Sequence, residues 1–110
     1  MKVIFHINEK TKEKVLLSNV KNFNKYNPEN KNDSVIEVLI NGEAIDLALI
    51  NSSTDFSQLF TLDVKIVACK NSLESRNYSP GQLQPGILVV NSGVVELAQK
   101  QTQGYAYIKP

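Results

Sequence analysis

Four short apolar runs, VIFHI (3–7), VIEVLI (35–40), VKIVA (64–68) and ILVV (87–90), are separated by stretches whose apolar residues recur at helical spacing. Runs of this length, rich in β-branched residues and nearly continuous in hydrophobicity, mark strands buried on both faces. From residue 10 to 25, Val15, Leu16, Val20 and Phe23 stand among lysines and asparagines as one amphipathic helix. NPENKNDS (27–34) is a loop, since Pro, Asn and Asp fix or locally hydrogen-bond the backbone. Asn41-Gly42 then begins a turn into a second helix carrying Ala44, Ile45, Leu47, Ala48 and Leu49, followed by a short apolar turn over 56–60.

The third run ends at Cys69, and a short helix is expected over 72–76. YSPGQLQPG (78–86), with two Pro-Gly pairs, is an ordered surface loop. The fourth run carries no charge and is therefore predicted to be a central strand. A last helix over 92–103 ends at Gly104, a left-handed cap, and YAYI (105–108) is a fifth strand at an edge or subunit contact. Strands alternating with helices pair in parallel through right-handed crossovers. The expected fold class is α/β: a three-layer α/β/α sandwich with a mainly parallel five-stranded sheet. At 110 residues it forms a single domain, 1–110.

Twelve Lys plus Arg stand against eleven Asp plus Glu, so no overall field draws in nucleic acid or an acidic membrane. The lone cysteine has no disulfide partner, and the apolar run at the N-terminus is too brief for a leader or a membrane span; a cytoplasmic, soluble protein is expected.

Cys69 is the residue with the most chemistry to offer. In an open parallel sheet the ligand site lies off the carboxyl ends of the strands, where Cys69 falls. Asn71 is a good N-cap with Glu74 three residues on, which aims the amides of Ser72 and Leu73 toward Cys69 and favours a thiolate. Lys70 adds to this if its side chain turns inward. The plain alternative is a small apolar residue at a buried strand end.

A phosphatase loop of the Cys-x5-Arg kind is excluded by the six-residue spacing from Cys69 to Arg76 and by Glu74. Thioredoxin-like chemistry needs a second cysteine. Carrying a persulfide, forming mixed disulfides and sensing oxidants remain.

His6, the only histidine, is the candidate base for Cys69 if their strands are neighbours, as in the order 2-1-3-4-5. In an order 4-3-2-1 the two lie roughly 10 Å apart, two strand spacings. A core histidine held by backbone groups is the stronger reading. One Cys and one His cannot complete a tetrahedral metal site. The five glycines form no nucleotide-binding motif, so no metal and no cofactor are expected. Asn91-Ser92-Gly93 opens a helix after the fourth strand and either holds an anion or sulfur intermediate or is a simple cap.

ACKNSL, the SP..L.PG loop, SGVVELA and the terminal GYAYIKP, together with KVIFHI, resemble the DsrE/DsrF-like family (sulfur relay, TusD-related), in particular its small single-domain members. The resemblance spans nearly the whole chain and is strongest from 64 to 110. It implies the α/β/α fold, homo- or hetero-oligomeric assembly (a dimer or trimer, or a hexamer) and, in some members, sulfur relay on a cysteine at the position of Cys69.

The leading expectation is a sulfur carrier, sulfurtransferase-like, that takes sulfur from a donor protein onto Cys69 and passes it to an acceptor thiol. Asn71 and Ser72 position the sulfur, with Ser92, Gly93 and Asn41 as further candidates. The rival is a non-catalytic oligomeric binding module for a small anion or metabolite near Asn41, Ser92 and Gly93.

Overall fold

The computed structural model describes all 110 residues. Strands β1 (Lys2–Ile7), β2 (Val35–Ile40), β3 (Lys65–Cys69), β4 (Leu88–Val90) and β5 (Ala106–Ile108) form one sheet in the order β4-β3-β2-β1-β5, every pair parallel. Helices α1 (Glu13–Tyr26), α2 (Ser57–Phe60), α3 (Lys70–Ser75) and α4 (Gly93–Thr102) lie in the connections. The architecture is the expected three-layer α/β/α sandwich.

Its two helical layers are unequal, and chirality explains why. From β1 to β4 the chain steps across the sheet in one direction, and right-handed crossovers place those connections on one face. The return from β4 to β5 runs the other way, so α4 alone covers the opposite face. Val3, Phe5 and Ile7 of β1, Val38 and Ile40 of β2 and Ile66 of β3 pack beneath Leu16 and Val20 of α1, Leu59 of α2 and Leu73 of α3, in a core of 20 buried side chains. The alternate residues Ile4, Leu39 and Val67 join Leu97 of α4 in a cluster of 4 buried side chains, flanked by the partly buried Val90 and Tyr105. Each fully buried aliphatic side chain contributes about 1.5–3 kcal/mol, so most of the stabilisation lies on the first face.

Two expectations are corrected. Residues Gly42–Ala48 form a 3-10 helix, not an α-helix. The apolar pairs 44/47 and 45/48 are three apart, the spacing that a 3-10 helix stacks on one side. Strand β4 is at an edge, not central, with Leu88 51% and Val89 36% exposed. An apolar run reports that its surroundings are apolar; it does not report on which side the sheet continues.

Arg76 is taken up structurally. Its Nε and Nη2 donate to the two carboxylate oxygens of Asp46 at 2.8 and 2.7 Å, tying the end of α3 to the 3-10 helix, and Lys10 Nζ joins at 3.1 Å. This fork holds Asp46 well below the usual carboxylate range.

Glu37 interrupts the apolar run of β2 and points beneath α4. It is fully buried, and neither carboxylate oxygen accepts a hydrogen bond from a nitrogen or hydroxyl group. Its nearest cation, Lys65 Nζ, is 4.0 Å away. Burial, followed by the hydrogen bond and charge of neighbouring Glu96, raises its pKa to about 8, against the opposing pull of Lys100 and Lys65. Glu96 pairs with Lys100 at 3.5 Å, and its neighbour Glu37, followed by the charge of Lys100, holds its pKa below the ordinary value against burial.

Because Glu37 binds its proton more tightly folded than unfolded, its contribution is complete below about pH 4.5 and is lost as pH rises toward 8. The melting temperature of the wild type should therefore fall between these limits, whereas Glu37→Gln should be flatter there and more stable near pH 8 by on the order of 1 kcal/mol. Identical thermal-unfolding profiles for the two proteins would remove the protonated pair from the account of stability.

Candidate functional site

Alternation along the strands places Leu39 and Asn41 of the β2 segment, His6 of β1 and Cys69 of β3 on the α4 side of the sheet, at its carboxyl edge. The N-terminus of α4 arrives at this edge because α4 follows β4 directly.

Gly93, the first residue of α4, packs against two of these segments, β2 with its extension and the end of β3. A Cβ at this position would lie 3.2 Å from Leu39 Cδ1, 3.3 Å from Cys69 Cβ and 3.4 Å from Asn41 Cβ. Only glycine lets the helix come this close. The result is a hydrogen bond from the Gly93 amide to Cys69 Sγ at 3.2 Å.

The other donors come from α3. The capping arrangement expected at Asn71 is not formed: α3 begins at Lys70, directly after β3, and Cys69 is itself the N-cap residue. Strand passes into helix without a turn, so the amides facing the sulfur are those of Asn71 and Ser72. Glu74 instead pairs with Lys70 at 3.9 Å on the exposed side of the helix, so Lys70 turns away from the thiol.

Ser72 Oγ accepts a hydrogen bond from the Gly42 amide at 2.8 Å, which leaves the hydroxyl hydrogen for the sulfur. Gly42 adopts φ +58 in making this turn. Cys69 is only 5% exposed, and burial pushes its pKa up; the Ser72 hydroxyl and the amides of Ser72, Gly93 and Asn71 outweigh burial and hold the thiol below its ordinary value. Ser92 is the N-cap of α4, with no side-chain hydrogen bond to the helix.

His6 is separated from Cys69 by the whole of β2 and is not its hydrogen-bonded base. Nor is it held by backbone groups. Nδ1 lies 2.7 Å from Tyr107 Oη, and Nε2 lies 2.8 Å from Asn41 Oδ1. Burial lowers its pKa, with Lys109 acting in the same direction and the Asn41 hydrogen bond opposing, so the ring is neutral at pH 7.

Tyr107 and Gly42 are site residues that the sequence did not disclose. Tyr107 reaches His6 because β5 pairs with β1, and only the strand order reveals that neighbour. Asn41-Gly42 carried a readable turn signal, but its hydrogen bond to Ser72 spans 30 residues.

A cleft of about 460 Å³ opens beside the site between β4 and α4, lined by Val89, Val90, Asn91, Ser92, Val95, Glu96 and Gln99. Glu96 is its only charged group, which makes it a poor receptor for an anion. No helix is long and apolar enough to cross a membrane.

No curated protein matches the chain. Among solved structures, protein MTH1491 of Methanobacterium thermoautotrophicum, of unknown function, is 32% identical with a TM-score of 0.89, over 99% of this chain and 98% of that one. Protein BT1422 of Bacteroides thetaiotaomicron, also of unknown function, is 15% identical with a TM-score of 0.74, over 99% and 94% of the two chains, and shares the fold. The family model for the DsrE/DsrF-like family matches residues 1–110. With the whole length matched, the chain belongs to the DsrE/DsrF-like family.

Proposed function

We propose that the protein is a sulfur carrier that holds a persulfide on Cys69 and delivers its outer sulfur to an acceptor thiol. The observation that carries this reading is the Gly93 amide on Cys69 Sγ at 3.2 Å, made by a helix brought against the cysteine through a glycine. Sulfur relay at the family level supports the same assignment. An inert strand-end cysteine has no need of amide and hydroxyl donors from the starts of two helices.

In loading, the Cys69 thiolate attacks the outer sulfur of a donor persulfide R–S–SH. A new S–S bond forms to Cys69, the donor S–S bond breaks, and its electron pair leaves with the thiolate R–S⁻. Delivery repeats the exchange: an acceptor thiolate takes the outer sulfur and Cys69 leaves as a thiolate. Both steps conserve electrons overall. The amides of Gly93, Asn71 and Ser72 and the Ser72 hydroxyl stabilise the thiolate that attacks first and departs last. Loading lengthens the side chain by an S–S bond of about 2 Å, moving the transferable atom away from the buried Sγ position.

The rival anion-binding module draws less support, because the adjoining cleft presents the Glu96 carboxylate and no cation. Assembly into a homo-oligomer is part of the reading. The open edge of β4 and the exposed Val94 and Val95 of α4 flank the site on its uncovered side, and a second copy is the occupant we assign to them. Sedimentation should find a dimer or larger closed assembly that Val94→Lys weakens; a monomeric wild type overturns this assignment.

After incubation with a small-molecule persulfide, mass spectrometry should detect one added sulfur on the wild type and none on Cys69→Ala. An absent wild-type adduct, or an equal one on the variant, refutes the carrier. The loading rate should rise with pH through a Cys69 inflection below that of a free thiol and then level off. Gly93→Ala should load about tenfold more slowly, the loss of one hydrogen bond to a charged group, with its inflection at higher pH.

A further inference from the structure

The pair of hydrogen bonds on His6 fixes more than the histidine. Asn41 Oδ1 can only accept, so the ring nitrogen facing it, Nε2, must carry the hydrogen. Nδ1 is then the acceptor, and Tyr107 Oη donates to it. One tautomer satisfies both contacts. It also orients the Asn41 carboxamide, whose oxygen is claimed from the β1 side. The amide NH2, at the other end of the planar group, is turned away from β1, and in the sheet order β3 and Cys69 lie on that side.

Asn41 Nδ2 donates to no protein group, although Asn41 Cβ and Cys69 Cβ flank the same spot beside Gly93. A chain of three side chains from β5, β1 and the end of β2 thus leads from a partly exposed tyrosine hydroxyl to a free donor beside the sulfur.

We propose that His6 is a positioning residue of the Cys69 site: held by Tyr107 as the Nε2–H tautomer, it keeps the Asn41 NH2 facing the site as a donor to the outer sulfur being transferred. This rests on the sulfur-carrier reading for the identity of the bound atom; the orientation of Asn41 rests separately on the contact of its Oδ1 with His6 Nε2. A carboxamide turned the other way presents an oxygen to an anionic sulfur and repels it. Tyr107 therefore acts on the site through two successive hydrogen bonds, with no contact of its own to Cys69.

Tyr107→Phe removes one hydroxyl from a residue 40% exposed, and folding should be unaffected. Without that donor, Nδ1–H becomes available, Nε2 can accept, and Asn41 can rotate. The ¹⁵N shifts of the His6 ring should report the Nε2–H tautomer in the wild type and a mixture in the variant. Sulfur loading on Cys69 should fall about tenfold in Tyr107→Phe and in His6→Leu, the cost of one hydrogen bond to a charged group. His6→Gln, whose amide can donate to Asn41 and accept from Tyr107, should recover most of the rate lost in His6→Leu. Wild-type loading rates in both Tyr107→Phe and His6→Leu overturn the proposal.

A binding measurement separates this inference from the sulfur-carrier reading. In Cys69→Ala, thiosulfate, an anion with a terminal sulfur, should shift the NMR signals of the Asn41 NH2 and the Gly93 amide, and adding Tyr107→Phe should weaken the affinity about tenfold. If wild type takes up no sulfur while these shifts appear and depend on Tyr107, the carrier fails and the positioning chain stands. If thiosulfate leaves the Asn41 NH2 unmoved, the positioning chain fails whatever Cys69 does.

Discussion

Gly93 is the point on which the site depends, because it lets the side chains of Leu39, Asn41 and Cys69 close in on space that a Cβ would fill. Leu39, Asn41 and Cys69 each come within 3.4 Å of the place where a Cβ would stand. Helix α4 is thereby lowered onto the carboxyl edge of β2 and β3, and its first amide reaches Sγ. The remaining donors follow from continuity: β3 runs into α3 without a turn, so the cysteine caps the helix that helps to stabilise it. Two helix starts converge on one sulfur because one strand ends and another connection returns at the same edge.

The topology that delivers α4 also leaves it alone on its face. A sheet grown in one direction through right-handed crossovers places its helices together, and only the return connection covers the opposite side. That side holds nearly all the chemistry of the molecule: Cys69, Asn41, His6 and Tyr107 at the carboxyl edge, and the Glu37–Glu96 pair further along β2. The well-filled face supplies most of the stabilisation, which allows the thin face to carry buried polar groups that a small core could not otherwise tolerate. Stability and site are divided between the two faces of the same strands, residue by alternate residue.

The elements were legible in the sequence because their periods are local. VIFHI, VIEVLI and VKIVA fell where β1, β2 and β3 lie, and the heptad-like spacing of Leu16, Val20 and Phe23 marked α1. Cys69 at a strand end was legible for the same reason. What was not legible depended on neighbours distant in sequence. ILVV gave no sign of its edge position, since apolar surface left for a partner and apolar surface buried in a core have the same composition. The N-x-x-E pattern at Asn71 suggested a cap, but nothing local says that a strand will pass straight into helix two residues earlier. His6 was read as a core residue or a base for Cys69; its actual partners lie 35 and 101 residues away, on the two segments that flank β1, the end of β2 and β5.

The two buried polar groups beneath and beside α4 show how differently a fold can treat them. Glu37 has no donor for its carboxylate, so burial beside Glu96 keeps its proton on; the outcome is a neutral group whose cost rises with pH. His6 has a partner for each ring nitrogen, so it is kept neutral in a single tautomer, and its orientation becomes information passed to Asn41. The first arrangement sets stability and involves no residue at the carboxyl edge. The second ends at a free amide beside the sulfur. A sulfur carrier needs its outer atom held as an anion without being trapped, and neutral donors from Gly93, Ser72 and Asn41 meet that requirement better than a lysine or arginine, whose full charge would favour the loaded state over delivery.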